Sequence, residues 1–310
     1  MIGLIVSSAV FGAIIFFVFL ASRYAYKAAF WSGGSASQVK DYFKKDKFSP
    51  LEDKISALTK ALECDGYEDV YAKAYDGITL HARYYHFKDG APTHILMHGY
   101  KGNPIRSMCG NYKIAKDLSH NVLMVDMRGC RQSEGKAITF GIKERKDALS
   151  WAKYIKCRFG SPVFLVGISL GGASVLMANT KELPDYVLGV IADCPFSSPV
   201  AILKKVCRDK GMPGLFFPFV TLGAILFAHF NPHSFSARMA VTDAKAPVLI
   251  IHGKSDGFVP IEMGEEIYNA CTGEKYIFTI ENADHALCYM TESEGYENTV
   301  CEFVQKCLNK

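Results

Sequence analysis

Six short apolar runs limit what this chain can fold into more than any other feature. They are "THILMHG" (93–99), "NVLMVDMRG" (121–129), "PVFLVGIS" (162–169), "VLGVIADC" (187–194), "APVLIIHG" (246–253) and "EKYIFTIENADH" (274–285). Helix-like stretches fall between or after them at 105–119, 139–158, 170–180, 261–271 and 292–308. Strands that are apolar on both faces need cover on both faces, and helical crossovers supply it while joining parallel neighbours. The expectation is an α/β fold with a mostly parallel central sheet and helices on both faces. In such sheets the chemistry sits in loops beyond the strands' C-terminal ends. Ahead of them, "YEDVYAKAYDGITLHARYYHF" (67–87) alternates in polarity around Asp76-Gly77 and predicts a β-hairpin.

The third run ends in Gly167-Ile168-Ser169-Leu170-Gly171 and passes directly into an Ala-rich helix-like stretch. Gly-x-Ser-x-Gly between a strand and a helix predicts the strained turn that exposes a hydroxyl as a nucleophile. Such a serine needs a base and an oxyanion hole. His285, in "ENADHAL" after the last strand, meets the requirement for the base. The orienting carboxylate belongs on a loop between serine and histidine in chain order. Asp256, in "IIHGKSDGFVP", lies there, and chain order and loop chemistry favour it over Asp193 in "IADCPF". The oxyanion donors are expected to be the amide of Leu170, at the start of its helix, and that of Tyr100 in "MHGYKGNP". His98 and His252 read as structural histidines in tight loops.

The N-terminus predicts a membrane association. Ile2 to Leu20, "IGLIVSSAVFGAIIFFVFL", carries no charge and would rise about 28 Å as a helix. With no basic residue before the run and bulky Arg23-Tyr24-Ala25-Tyr26 after it, an uncleaved single-pass anchor is favoured over a cleaved signal. Arg23, Lys27, Lys40, Lys44, Lys45 and Lys47 all follow the span, which places the rest of the chain in the cytoplasm by the positive-inside rule. "WSGGSASQ" (31–38) reads as a flexible hinge, and 39–63 as a polar connector that turns helical after Pro50. The division is thus an anchor at 1–22, a juxtamembrane linker and connector at 23–66, and a catalytic domain at 67–310.

Residues 195–245 are too long for a plain crossover and read as a cap inserted at about 197–244. Within it "LFFPFVTLGAILFAHF" (215–230) has a second membrane span as its rival reading. As a cap, this stretch is expected either to pack on the sheet or to line an acyl pocket through Phe217 and Leu222. Ten scattered cysteines without zinc spacing read as unpaired thiols. A net charge of +4 over 310 residues, with no basic stripe, argues against a nucleic-acid partner.

The stretches "HGYKGN", "DMRGCRQSEG", "GISLGGAS", "HGKSDGFVP" and "ENADHAL" together resemble the α/β-hydrolase fold superfamily over about residues 67–310. The chain looks like membrane-anchored bacterial serine hydrolases grouped with serine aminopeptidases and monoglyceride-lipase-like esterases. The resemblance implies Ser169 as nucleophile, His285 as base, Asp256 as orienter and the amides of Tyr100 and Leu170 as oxyanion donors, with no cofactor and no metal. It implies an acyl ester, thioester or lipid substrate. A serine aminopeptidase and a non-catalytic scaffold binding a lipid or protein are the alternatives. The oxyanion loop lacks the His-Gly-Gly-Pro-Gly of proline-releasing peptidases, and Ile168 stands where many lipases carry histidine.

Overall fold

The computed structural model of the protein describes residues 2–33 and 51–310. Each of the six apolar runs forms a strand: β3 (Thr93–Met97), β4 (Asn121–Asp126), β5 (Val163–Ile168), β6 (Val187–Asp193), β7 (Val248–Gly253) and β8 (Lys275–Ile280). The predicted hairpin supplies β1 (Glu68–Lys73) and β2 (Thr79–Tyr85), closed by an Ala74 N–H to Ile78 O bond. The sheet order is β1-β2-β4-β3-β5-β6-β7-β8. β2 runs antiparallel to both of its neighbours, and all other pairs are parallel.

The helices in chain order are α1 (Ile2–Ala29), α2 (Glu52–Glu63), α3 (Pro104–Ser107), α4 (Cys109–Asp117), α5 (Glu144–Phe159) and α6 (Leu170–Ala178). After them come α7 (Pro199–Asp209), α8 (Phe217–Phe227), α9 (Ala237–Ala240), α10 (Ile261–Ala270), α11 (Cys288–Thr291) and α12 (Ser293–Leu308). The expected helix at 105–119 is two helices, because Met108 leaves helical geometry (φ −109°, ψ 8°) with its side chain fully buried.

Every residue of β3, β4, β5 and β7 is buried, as strands covered on both faces must be. Alternate side chains feed two cores. Leu123 and Val125 join Trp151, Ile155 and Leu176 on one face. Val122 and Met124 join Tyr112, Tyr296 and Phe303 on the other. β8, at the edge, is only partly buried.

Between β6 and β7 the inserted segment folds as α7, a 3-10 turn (Gly214–Phe216), α8 and α9. At 11 residues α8 rises only about 16 Å, roughly half a bilayer's hydrocarbon thickness of ~30 Å. The reading of 215–230 as a second span is thereby set aside. Pro218 opens the helix in its first turn, and His229, at φ 55°, lies just past its end.

Ser7–Ala29 within α1 is long and apolar enough to cross a membrane. The helix does not stop near residue 22 but continues to Ala29, and its last turns dock on the domain. Ser22, Ala25, Tyr26 and Phe30 are buried. Phe17 and Phe19 meet Phe219 and Phe227 of α8 edge-on, at ring separations of 5.9 and 5.5 Å. Gly223 makes the crossing possible, since a Cβ there would lie 2.5 Å from Ser22 O. Beyond the helix, Ser32 N–H donates to Lys136 O (3.2 Å) and Ile138 N–H to Phe30 O (2.8 Å). Trp31 to Gly33, expected to begin a flexible hinge, therefore include main-chain bonds to the domain. The rest of that hinge, Lys40, Lys44, Lys45 and Lys47, and the connector as far as Pro50 lie outside the described residues. The helix expected after Pro50 is α2.

Candidate active site

Ser169 sits between β5 and α6 with φ 56° and ψ −114°, a conformation that side-chain-bearing residues rarely hold. Such a turn stores of order 1–3 kcal/mol and persists only where its surroundings fix it. Here they do. Ser169 N–H donates to Asp193 O (2.8 Å), and Ser169 O accepts from Ala173 N–H (2.9 Å). Gly171 is obligatory for a separate reason: a Cβ there would lie 2.0 Å from Met97 O, inside the end of β3. The sequence pattern is thus the imprint of a helix start pressed against a neighbouring strand.

His285 lies on the loop after β8. Its Nε2 is 2.9 Å from Ser169 Oγ, and its Nδ1 is 2.8 Å from Asp256 Oδ2. Asp256 lies on the loop after β7 with its carboxylate fully buried. Its other oxygen, Oδ1, accepts from the amides of Phe258 (2.9 Å) and Val259 (2.8 Å). Hydrogen bonds of this kind satisfy a buried charge, leaving Oδ2 aimed at the histidine. Asp284 holds the histidine loop, its Oδ1 accepting from His285 N–H (2.8 Å) and Gly257 N–H (3.1 Å). The Phe258 ring packs against the imidazole at 5.0 Å between centroids. The three residues proposed from sequence are therefore brought together in one hydrogen-bonded line.

Asp193, the competing carboxylate, points elsewhere. Its Oδ2 accepts from Tyr296 Oη (3.2 Å), and its Oδ1 has no hydrogen-bond partner. Complete burial pushes its carboxyl up to about 6, against the stabilising pull of Cys288 and Tyr296. A carboxyl that faces a tyrosine hydroxyl and makes no hydrogen bond to His285 is poorly placed to orient that imidazole.

Leu170 opens α6, where the first amides have no intrahelical acceptor and the helix dipole favours negative charge. The loop carrying Tyr100 passes close to the hydroxyl, for a Cβ built on Gly99 would lie 3.5 Å from Ser169 Cβ. His98 shapes that loop. Its Nδ1 bonds to Gly99 O (2.7 Å), its Nε2 accepts from Met127 N–H (3.2 Å), and burial depresses its basicity. His252 is likewise buried and bonded to Val259 O (2.9 Å), with its basicity lowered by burial. Both are structural, as their loop settings suggested.

Above Ser169 lies a cavity of about 570 Å³, lined mainly by apolar side chains. Phe140 and Phe196 contribute to it, and Ile202, Val206, Phe216 and Val220 come from the cap. Phe217 and Leu222, which the sequence had suggested, are not among its lining residues. Phe217 instead packs on His233, at 6.3 Å between rings, and under the Lys204 ammonium. Sequence reasoning also missed four contributors from α1: Tyr24, Ala25, Ala28 and Ala29 line the same cavity. Alanines in an apolar span carry no chemical signal, so nothing in the sequence marked them.

Cys194, Asp256 and His285 bring possible metal-ligand atoms within 4.8 Å of one another. The arrangement suits a hydrogen-bonded pair better than an ion. Asp256 and His285 already bond each other, and burial raises the Cys194 thiol far above its usual range, against the thiolate a metal requires. All ten cysteines are free.

No protein-family model matches the chain. Protein YqkD of Bacillus subtilis is 27% identical over 220 residues, covering 70% of this chain and 72% of that protein. The lysophosphatidylserine lipase ABHD12 of Danio rerio is 28% identical over 203 residues, 61% of this chain and 50% of its own length. Among solved structures, the esterase Pf2001 of Pyrococcus furiosus superimposes with a TM-score of 0.64 at 22% identity, covering 80% of this chain and 94% of that one. The alpha/beta hydrolase GrgF of Penicillium sp. sh18 gives 0.63 at 16% identity, covering 79% and 100%. At these identities the structural likeness is one of fold.

Proposed function

The chain has the α/β-hydrolase fold, and from that premise we propose that it is a membrane-anchored serine hydrolase of carboxylic esters, including thioesters, with an apolar acyl chain. The observation that carries the proposal is the line Ser169 Oγ–His285 Nε2, His285 Nδ1–Asp256 Oδ2, at 2.9 and 2.8 Å. In this reading His285 takes the Ser169 proton as the oxygen attacks the acyl carbonyl. Asp256 fixes the tautomer and stabilises the imidazolium, without itself being protonated. The amides of Leu170 and Tyr100 receive the oxyanion, each donor worth about 2.7–4 kcal/mol in comparable sites. His285 then returns the proton to the leaving alcohol or thiol, and water clears the acyl-enzyme by the same steps in reverse order of roles.

The apolar lining of the cavity favours an acyl chain over a peptide, and the esterase and lipase names of the relatives agree with ester chemistry. The anchor is α1. The test is hydrolysis of p-nitrophenyl acyl esters against aminoacyl p-nitroanilides by full-length protein and Ser169→Ala. Ester turnover that disappears in the variant is expected. Faster cleavage of the anilides would make the chain an aminopeptidase, and Ser169-independent turnover would remove the serine from the chemistry.

A further inference from the structure

Helix α1 is the only apolar element among the described residues that is both long enough to cross a membrane and part of the cavity wall above Ser169. The two roles fall on different parts of it. Phe11, Ile14, Ile15 and Phe16, in its N-terminal half, are exposed. Tyr24, Ala25, Ala28 and Ala29 line the cavity. These four are spaced as two i, i+4 pairs and so form one stripe on the helix surface. Three of them are alanines, which bound the cavity without filling it. The helix end is also tied to the loop beside the nucleophile, because Tyr100 Oη donates to Ala29 O at 2.9 Å. The cap helix α8, which contributes Val220 to the same cavity, packs on α1 through Phe17, Phe19 and Ser22, and Leu215, Ile225 and Leu226 of the cap are exposed.

We propose that the C-terminal turns of α1 are a specificity element of the active site: the face Tyr24-Ala25-Ala28-Ala29 binds the acyl chain and sets the length accepted at Ser169. Resting on the serine-hydrolase reading, this assigns the substrate class as long-chain acyl esters held in a lipid layer. The chain passes from the lipid along α1 into the cavity, because the wall of the cavity is the continuation of the spanning helix. A tether would only keep enzyme and lipid close. A shared helix also fixes the mouth of the cavity at a set depth relative to the lipid.

The test compares p-nitrophenyl laurate with p-nitrophenyl acetate, using full-length protein in detergent micelles. Ala28→Phe projects a ring into the cavity from an exposed helix position. It should lower the laurate-to-acetate ratio of kcat/KM at least tenfold. Tyr24→Ala widens the same wall and should raise the ratio, which keeps the test intact if Ala28→Phe folds poorly. Ile14→Phe, on the exposed half of α1, should leave the ratio at the wild-type value. Ratios within twofold of wild type for both Ala28→Phe and Tyr24→Ala would overturn the assignment while leaving the hydrolase reading in place. A wild-type protein that cleaves neither ester would bring both down together.

Discussion

At the scale of single residues, the site turns on two buried aspartates with different partners. Asp256 has both oxygens in use, on backbone amides and on His285, whereas Asp193 is bonded to Tyr296 and has one oxygen unpaired. Asp256→Asn should therefore lower kcat by about 10⁴-fold, as loss of the orienting carboxylate does in other triads. Asp193→Asn should cost less than tenfold; the reverse order, in folded proteins, would reassign the acid. The two aspartates also differ in what they do to stability. The native state raises the Asp193 carboxyl from an ordinary 3.8 to about 6. A raised acid favours folding fully below pH about 4, and that contribution is lost as the pH climbs through 6. The melting temperature of Asp193→Asn relative to wild type should accordingly rise between pH 4 and pH 8, measured by thermal denaturation at each pH. A difference that is constant with pH would mean that Asp193 is not held neutral. The residues of this line were legible in the sequence because each carried its own marker: glycines around Ser169, Gly253 and Gly257 around Asp256, and the position of His285 after the last apolar run. Tyr24 and Ala28 carried none. What they touch depends on where a helix 140 residues earlier in the chain comes to dock, which no local pattern encodes.

At the scale of elements, the strands were the easiest to read and the contacts between helices the hardest. Short β-rich runs apolar on both faces fit covered strands, and β3 to β8 are those runs. The boundary expected between anchor and linker at residue 22 had no such constraint behind it, and α1 instead runs on to Ala29. The reason is packing against α8. Gly223 lets the two backbones approach until a Cβ would meet Ser22 O at 2.5 Å, and rings from both helices close around that point. Gly223→Leu should push α8 away from α1. Overpacking of this kind costs about 1–3 kcal/mol, and a fall in melting temperature of several degrees is expected. Because the cavity lies between these helices, laurate hydrolysis should fall with it. An unchanged melting temperature would show that the two helices do not pack in solution as they do here. The insertion between β6 and β7 was legible as a cap from its length and its Pro218, but not which of its side chains face inward. Phe216 and Val220 line the cavity, and the neighbouring Phe217 does not.

At the scale of the whole molecule, helix α1, long and apolar enough to cross a membrane, is joined to the α/β domain by main-chain bonds that fasten Phe30 to Ser32 onto residues 136–138. We propose that the domain faces the cytoplasm, because Arg23 and Lys27 lie at the C-terminal end of the apolar run, on the side of the domain. A cysteine introduced at Ser35 should resist an impermeant maleimide in intact cells and react after permeabilisation; labelling in intact cells would invert the orientation. The native thiols that are exposed, Cys64 and Cys157, must first be replaced by serine for that experiment to be clean. The central claim remains chemical, that Ser169 is a nucleophile made reactive by His285 and Asp256. It is tested most directly by exposing the full-length protein in membranes to a fluorophosphonate and mapping the adduct by mass spectrometry. The account predicts one adduct on Ser169, absent in Ser169→Ala and strongly slowed in His285→Ala. No adduct on the folded wild-type protein, or one on another residue that survives Ser169→Ala, would contradict it.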